Sequence, residues 1–109
     1  MKRLALAAAV LATASFGALA AGEPEFKLTL ENHKFTPDRI EVPAGQKVKI
    51  VVQNRDATPA EFESHPLKVE KVIAGRATAW VIVGPLKAGE YKFVDEYNEK
   101  TATGVLVAK

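Results

Sequence analysis

The chain has 109 residues, of which 48% are hydrophobic, 15 are basic, 13 are acidic and none is Cys. The absence of Cys excludes a disulfide-stabilised scaffold and also an acylated lipoprotein. A net charge of only +2, with no run of basic residues, gives no support for nucleic-acid binding or for a polybasic membrane-surface anchor.

The first 21 residues predict a cleaved export signal. Lys2 and Arg3 precede an apolar, Ala-rich run over residues 4–19, and small residues follow up to Ala21. The run is shorter than the roughly 20 apolar residues of a membrane span, although a retained N-terminal anchor is the alternative. Cleavage would remove both basic side chains and leave 13 basic and 13 acidic residues. We therefore expect a neutral periplasmic protein that is not inserted in the membrane.

Residues 22–109 have the pattern of strands rather than helices. Apolar and polar side chains alternate with period two, and no stretch keeps a helical period. Turn signals recur at roughly 8–12 residues, as in β-sandwiches. No internal repeat or linker is present, so we predict one domain over residues 22–109. The predicted strands, about seven in number, cover residues 26–31, 39–42, 46–53, 67–73, 78–83, 90–94 and 104–108.

Two stretches carry a resemblance to a known family. The pattern F-x-P-x-x-I-x-V-P-x-G-x-x-V-x-I-x-V-x-N runs from Phe35 to Asn54, and G-E-Y-x-F runs from Gly89 to Phe93. Both resemble cupredoxins, and the resemblance implies a Greek-key β-sandwich. The stretch from Asp56 to Ser64, followed by E-K-V at residues 70–72, is most similar to cupredoxin-like domains of periplasmic iron-uptake systems. These include the EfeO type and the small proteins that accompany a ferrous-iron permease.

The resemblance also shows which copper ligands are absent. It places Asp95 at the position of the Cys ligand, Asn98 at that of the His, and Ala102 or Thr103 at that of the Met. The only Met in the chain is Met1, within the predicted signal. The chain is therefore predicted to keep the cupredoxin scaffold without a blue-copper centre.

Carboxylates form the candidate metal site. Glu61 and Glu63 flank Phe62, and residues two apart in an extended segment point to the same side. The resemblance places Glu61 near the family's first His ligand and implies that the Glu pair binds a cation. Asp95 is expected to converge with this pair, and converging carboxylates raise a pKa unless a cation neutralises them. Glu96 is a further candidate, with a surface acid as the equal alternative.

His33 and His65 are the only imidazoles. Each is a candidate ligand, with an ordinary surface or hydrogen-bonded His as the alternative. An oxygen-rich site with imidazoles suits Cu(II), Fe(III), Mn(II) or Zn(II) better than Cu(I). We expect copper as the bound ion, with iron as the second choice. The predicted metal ligands are Glu61, Glu63, Asp95, His33, His65 and Glu96. Three aromatic side chains, Trp80, Tyr91 and Phe93, are predicted to lie in the core.

Two functional hypotheses follow. The first is a periplasmic metal-binding protein in iron uptake, which works with a permease or a companion periplasmic protein and assists the oxidation of ferrous iron. Whether this amounts to a ferroxidase-type enzyme stays open, and no hydrolase elbow or phosphate-binding loop occurs. The alternative is a metal-free interaction module whose binding surface lies around residues 67–73. A simple electron carrier is least favoured, because the thiolate and imidazole ligands of fast copper carriers are absent.

Overall fold

A computed structural model describes residues 22–109, so the predicted export signal at residues 1–21 lies outside the described residues. The described part folds into nine strands: β1 Glu25–Glu31, β2 Lys34–Thr36, β3 Arg39–Val42, β4 Val48–Asn54, β5 Ala60–Ser64, β6 Val69–Ile73, β7 Thr78–Val83, β8 Gly89–Asp95 and β9 Thr103–Ala108. A short 3-10 turn, Glu96–Asn98, follows β8. Within this part of the chain no helix is long and apolar enough to cross a membrane.

The strands form the two layers of a sandwich, which confirms the predicted fold class. One sheet has four strands in the order β2-β1-β4-β7, and the other has five in the order β3-β9-β8-β5-β6. The β1–β4 and β3–β9 pairs are parallel, and the other pairs are antiparallel. All seven predicted strands are present. The short strands β2 and β5 are additional, and each lies next to a turn or a Pro that interrupts the sequence pattern.

Three phenylalanine rings hold the two sheets together. Phe35, Phe62 and Phe93 are 6%, 2% and 1% exposed. Their ring centroids lie 5.1 to 6.1 Å apart, within the range of favourable aromatic pairs. Burying each ring contributes about 1.5–3 kcal/mol. Since Phe62 points into this core, its two neighbours on β5 must point away from it.

Gly104 allows one of these rings to lie against the backbone. Gly104 pairs with Phe93 across β8 and β9. A Cβ at Gly104 would lie 2.6 Å from Cε1 of Phe93 and 2.7 Å from the carbonyl oxygen of Asp38. The ring therefore occupies the space that any other side chain at position 104 would need.

The core prediction for the three aromatic side chains is correct for Phe93 and wrong for Trp80. Trp80 is 53% exposed, because it pairs with Val51 on the outer face of the four-stranded sheet. Lys49 Nζ lies 4.6 Å from its ring centroid. Tyr91 is partly buried and packs against the core, while its hydroxyl donates a 2.7 Å hydrogen bond to the Lys87 carbonyl.

Candidate metal centre

The strand β5 presents two carboxylates on the outer face of the five-stranded sheet. Ala60, Phe62 and Ser64 are buried, whereas Glu61 and Glu63 are half-buried. The sequence alternation thus gives the shared orientation that was predicted for the Glu pair. This face of β5 contributes the first two carboxylates of the candidate site.

The β5–β6 pairing adds a third carboxylate, Glu70, which is not among the predicted metal ligands. Glu70 lies directly opposite Glu63 in the antiparallel register, and directly opposed residues share one face of a sheet. The E-K-V motif at residues 70–72 belongs to the family resemblance, but only the strand register shows that its Glu side chain joins the site. A hairpin between these two strands would predict this position of Glu70 from the sequence.

Three carboxylates meet at this face. Oxygen atoms of Glu61, Glu70 and Glu96 all lie within 4.8 Å of one another. Glu96 reaches them because it begins the 3-10 turn directly after β8, and β8 is the other neighbour of β5. We call Glu61, Glu70 and Glu96 the carboxylate cluster. Two of its members were predicted as ligands, and the third is Glu70.

Crowding changes the acidity of the cluster. A hydrogen bond with the Glu96 carboxyl, followed by burial and by repulsion from Glu96, Glu70 and Glu63, raises the pKa of Glu61 from 4.5 to about 7. Burial, followed by a hydrogen bond with Glu70 and repulsion from Glu96, raises the pKa of Glu63, although the nearby charge of His65 lowers it in part. Near neutral pH Glu61 is therefore protonated in a substantial fraction of the molecules, and a bound cation would displace that proton.

The two imidazoles occupy different parts of the molecule. His65 Nε2 lies 4.0 Å from Glu63 Oε2 and its side chain is 93% exposed, so it lies at the border of the site. His33 instead has Asp56 as its partner, with 3.8 Å between His33 Nδ1 and Asp56 Oδ2. Asp56 also accepts hydrogen bonds from the backbone N–H groups of Asn32 and His33. The structure thus brings His65 near the carboxylates. It places His33 in the turn between β1 and β2, where Asp56 from the loop after β4 contacts it.

Asp56 is a structural carboxylate. Burial alone would raise its pKa, but the backbone N–H groups of His33 and Asn32 and the charges of His33 and Arg76 outweigh that effect and lower it. Asn32 and His33 both have the left-handed conformation, with φ of 55° and 57°. The Asp56 carboxylate therefore stabilises the turn between β1 and β2.

The expected convergence of Asp95 with the Glu pair on one side of the sheet is not what the structure shows. Asp95 pairs with Phe62, so its side chain lies on the core face, opposite to that of Glu61, and is 1% exposed. Its Oδ1 accepts hydrogen bonds from the backbone N–H of Glu61 at 2.9 Å and of Tyr97 at 3.0 Å. Its Oδ2 accepts one from Asn98 Nδ2 at 3.0 Å.

The positions that the resemblance matches to the family's copper ligands lie close together, but their side chains do not fit a blue-copper ion. The Asp95 N–H donates to the Ala102 carbonyl, and the Ala102 N–H donates to the Asn98 carbonyl, both at 2.9 Å. The three side chains are a carboxylate that already accepts three hydrogen bonds, an amide and a methyl group. Residues 22–109 contain no Cys or Met. A thiolate-based centre therefore has no ligands here.

Fold and sequence together define the class of protein as a two-sheet β-sandwich of the cupredoxin-like kind. The chain belongs to the cupredoxin-like domain family, whose model matches residues 4–108. A protein of Rickettsia prowazekii that is described as uncharacterized is 37% identical over 83 residues, which cover 76% of this chain and 66% of that protein. The chain thus spans slightly less than two thirds of the length of this relative.

Solved structures support the same fold. Auracyanin A, a blue copper protein from Chloroflexus aurantiacus, superposes with a TM-score of 0.68 at 17% identity, over 81% of this chain and 100% of the other. The metal-binding domain of the Cu(I)-exporting ATPase CopA from Streptococcus pneumoniae gives a TM-score of 0.69 at 14% identity, over 78% and 84%. At these identities the likeness establishes the cupredoxin-like fold.

Proposed function

We propose that the protein binds a Cu(II) or iron ion at the carboxylate cluster and serves in iron uptake in the periplasm. One observation carries the proposal: three carboxylates from β5, β6 and the turn after β8 approach within 4.8 Å. Among residues 22–109, no Lys or Arg forms an ion pair with any of the three. A bound cation would supply the positive charge that these side chains do not.

The donor chemistry limits the choice of ion. Carboxylate oxygens are hard ligands that favour Cu(II), Fe(III) or Mn(II) over Cu(I). The same ligands stabilise Fe(III) relative to Fe(II) and thereby ease the loss of an electron from iron. Copper, when bound, would supply a one-electron acceptor for that oxidation. Because each ligand must be deprotonated, cation binding competes with protonation of Glu61, whose pKa is raised to about 7.

The family supports a metal role, and the resemblance supports iron. Auracyanin A and the CopA domain are described as copper proteins, but in this chain the ion would bind at the outer face of the sheet. The stretch from Asp56 to Ser64 is the part that resembles iron-uptake proteins. The proposed partners are accordingly an iron permease or a companion periplasmic protein, and the proposed periplasmic location rests on the predicted export signal.

A titration tests the binding site. The purified protein is titrated by calorimetry with Cu(II), with Mn(II), and with Fe(II) under anaerobic conditions. The double variant Glu61→Gln/Glu70→Gln removes two charges from the cluster. The matched control Glu41→Gln/Glu90→Gln removes two charges from the same sheet, where both residues pair with surface cations. We expect near-stoichiometric binding in the wild type and control, and its loss in the cluster variant. Equal binding by all three proteins would exclude the cluster.

The alternative function is a metal-free interaction module. Its supporting observation is the closed hydrogen-bond network at Asp95, Asn98 and Ala102, together with Val72, which is 56% exposed on the strand β6 at the edge of its sheet. This module would bind none of the three ions. It would bind a protein partner through β6, and Val72→Ser would weaken that complex while leaving metal titrations unchanged.

A further inference from the structure

Asp95 is a buried carboxyl group whose polar partners are N–H groups and not cationic side chains. A buried polar group is costly unless it is hydrogen-bonded. Asp95 is 1% exposed, and among residues 22–109 no Lys, Arg or His forms an ion pair with it. Three N–H donors surround it instead. The positions of these donors therefore show which backbone segments the Asp95 side chain connects.

The donors come from two segments that are far apart in the chain. Oδ1 is shared between the backbone N–H of Glu61, 34 positions away, and the backbone N–H of Tyr97. Glu61 belongs to the carboxylate cluster, and Tyr97 directly follows Glu96, which also belongs to it. One oxygen atom thus fixes the backbone at two of the three proposed ligands.

The other oxygen fixes the connection from β8 to β9. Oδ2 accepts from Asn98 Nδ2, and the Asn98 carbonyl accepts from the N–H groups of Thr101 and Ala102. The Ala102 carbonyl in turn accepts from the Asp95 N–H. Hydrogen bonds between Asp95, Asn98 and Ala102 therefore link the two ends of the turn that contains Glu96.

We infer that Asp95 is a positioning residue and not a ligand: from the core face of the sheet, its carboxylate holds the backbone so that Glu61 and Glu96 reach the same cation on the outer face. This inference rests on the proposed function. The resemblance matches position 95 to the Cys ligand of the family, and this inference gives the carboxylate there a different role. The side chain at position 95 joins β5 to the turn after β8 by hydrogen bonds alone.

A charge swap between Asp95 and Asn98 tests this role. In Asp95→Asn, the amide nitrogen introduced at 95 faces the amide nitrogen of Asn98, so two donors oppose each other. In Asn98→Asp, two carboxylates oppose each other. The double variant Asp95→Asn/Asn98→Asp restores one donor and one acceptor with the net charge unchanged. Glu99→Gln serves as the control, because it removes one exposed charge from the same connection.

Two quantities are measured for each variant. The first is Cu(II) affinity by calorimetry, repeated with Mn(II). The second is the hydrogen-exchange rate of the Glu61 and Tyr97 amides by NMR. We expect each single variant to lose roughly tenfold or more in affinity, as is typical when a group that orients a metal ligand is removed. Both amides should exchange faster in these variants. The double variant should recover most of the affinity and slow exchange, and Glu99→Gln should resemble the wild type.

Several results would overturn the inference. Unchanged affinity and unchanged amide exchange in Asp95→Asn would show that the carboxylate positions nothing. Loss of affinity with unchanged exchange and no recovery in the double variant would make Asp95 a ligand. If the wild type binds neither ion, the proposed function fails and with it the role toward a cation. The hydrogen-bonded link itself is then judged by amide exchange alone.

Discussion

Glu61 combines a half-buried position, a backbone N–H held by Asp95 and a pKa of about 7. None of these properties follows from its residue type, since an isolated Glu is exposed and acidic. The period-two pattern around Phe62 does predict the direction of its side chain. The neighbours that change its acidity, Glu96 and Glu70, come from other elements and depend on the strand register.

The raised pKa of Glu61 makes stability depend on pH. A carboxyl group whose pKa is higher in the folded chain than in the unfolded chain stabilises the fold fully below the unfolded value of 4.5. That contribution is lost as the pH rises through about 7. Glu63 acts in the same direction. Asp56, whose pKa is lowered from 3.8, acts only at more acidic pH. Without added metal, the melting temperature should therefore fall between roughly pH 5 and pH 8.

The variant Glu61→Gln should flatten this pH dependence, because it removes the group that titrates. The measurement is thermal unfolding followed by circular dichroism at both pH values in the presence of a chelator. Glu99→Gln is the matched control and should keep the wild-type slope. An identical slope in wild type and Glu61→Gln would show that Glu61 does not titrate in this range.

At the scale of elements, buried polar side chains join the loops to the strands. Asn54, at the end of β4, is 1% exposed. Its Nδ2 donates to the carbonyls of Thr58 and Ala74 at 2.9 and 3.2 Å, and its Oδ1 accepts from the Asp56 N–H at 3.0 Å. This one amide connects the β4–β5 loop, which leads to Glu61, with the loop after β6.

Replacing Asn54 by Asp should destabilise the fold strongly. The new carboxylate would face carbonyl oxygens where the amide donated, and a buried group left without its partner costs about 1–3 kcal/mol, or more if charged. We expect the free energy of unfolding to fall by at least about 2 kcal/mol in chemical denaturation. The control is Gln53→Glu, a similar change at the neighbouring half-buried position, where a shift below about 1 kcal/mol is expected. Equal effects of the two changes would contradict this role of Asn54.

The length of each strand decides whether the sequence pattern predicts it. Alternation predicted seven of the nine strands, since each has enough length to display its pattern. The strand β2 has only three residues, and β5 begins directly after the Pro59 turn, so neither has a pattern clear of its neighbouring turn signals. Trp80 was misplaced because alternation gives two faces without saying which is buried, and on β7 the smaller side chains face the core.

At the scale of the whole molecule, the family resemblance correctly placed the end of β8 close to the segment that contains Glu61. It brought position 95 beside β5 and left no ligands for a blue-copper centre. It could not give the face on which each carboxylate lies. Asp95 pairs with Phe62, and Glu70 pairs with Glu63. A shift of one residue in either pairing would reverse these orientations, and the register is decided by packing across the sandwich.

The candidate site in the structure therefore groups the predicted ligands differently from the sequence prediction. Glu61 and Glu96 lie together, Glu70 joins them, and Glu63 and His65 border them. Asp95 lies beneath the site and His33 lies in a turn with Asp56. The proposed ion would lie on the outer face of the five-stranded sheet.

The most direct test of that claim is anomalous X-ray diffraction from crystals of the protein grown with Cu(II). Data collected on both sides of the copper absorption edge locate the ion without assumptions about its ligands. We expect a single strong peak among the carboxylates of Glu61, Glu70 and Glu96. A peak beside Asp95, Asn98 and Ala102, or one between His33 and Asp56, would contradict it, and so would the absence of any ordered copper.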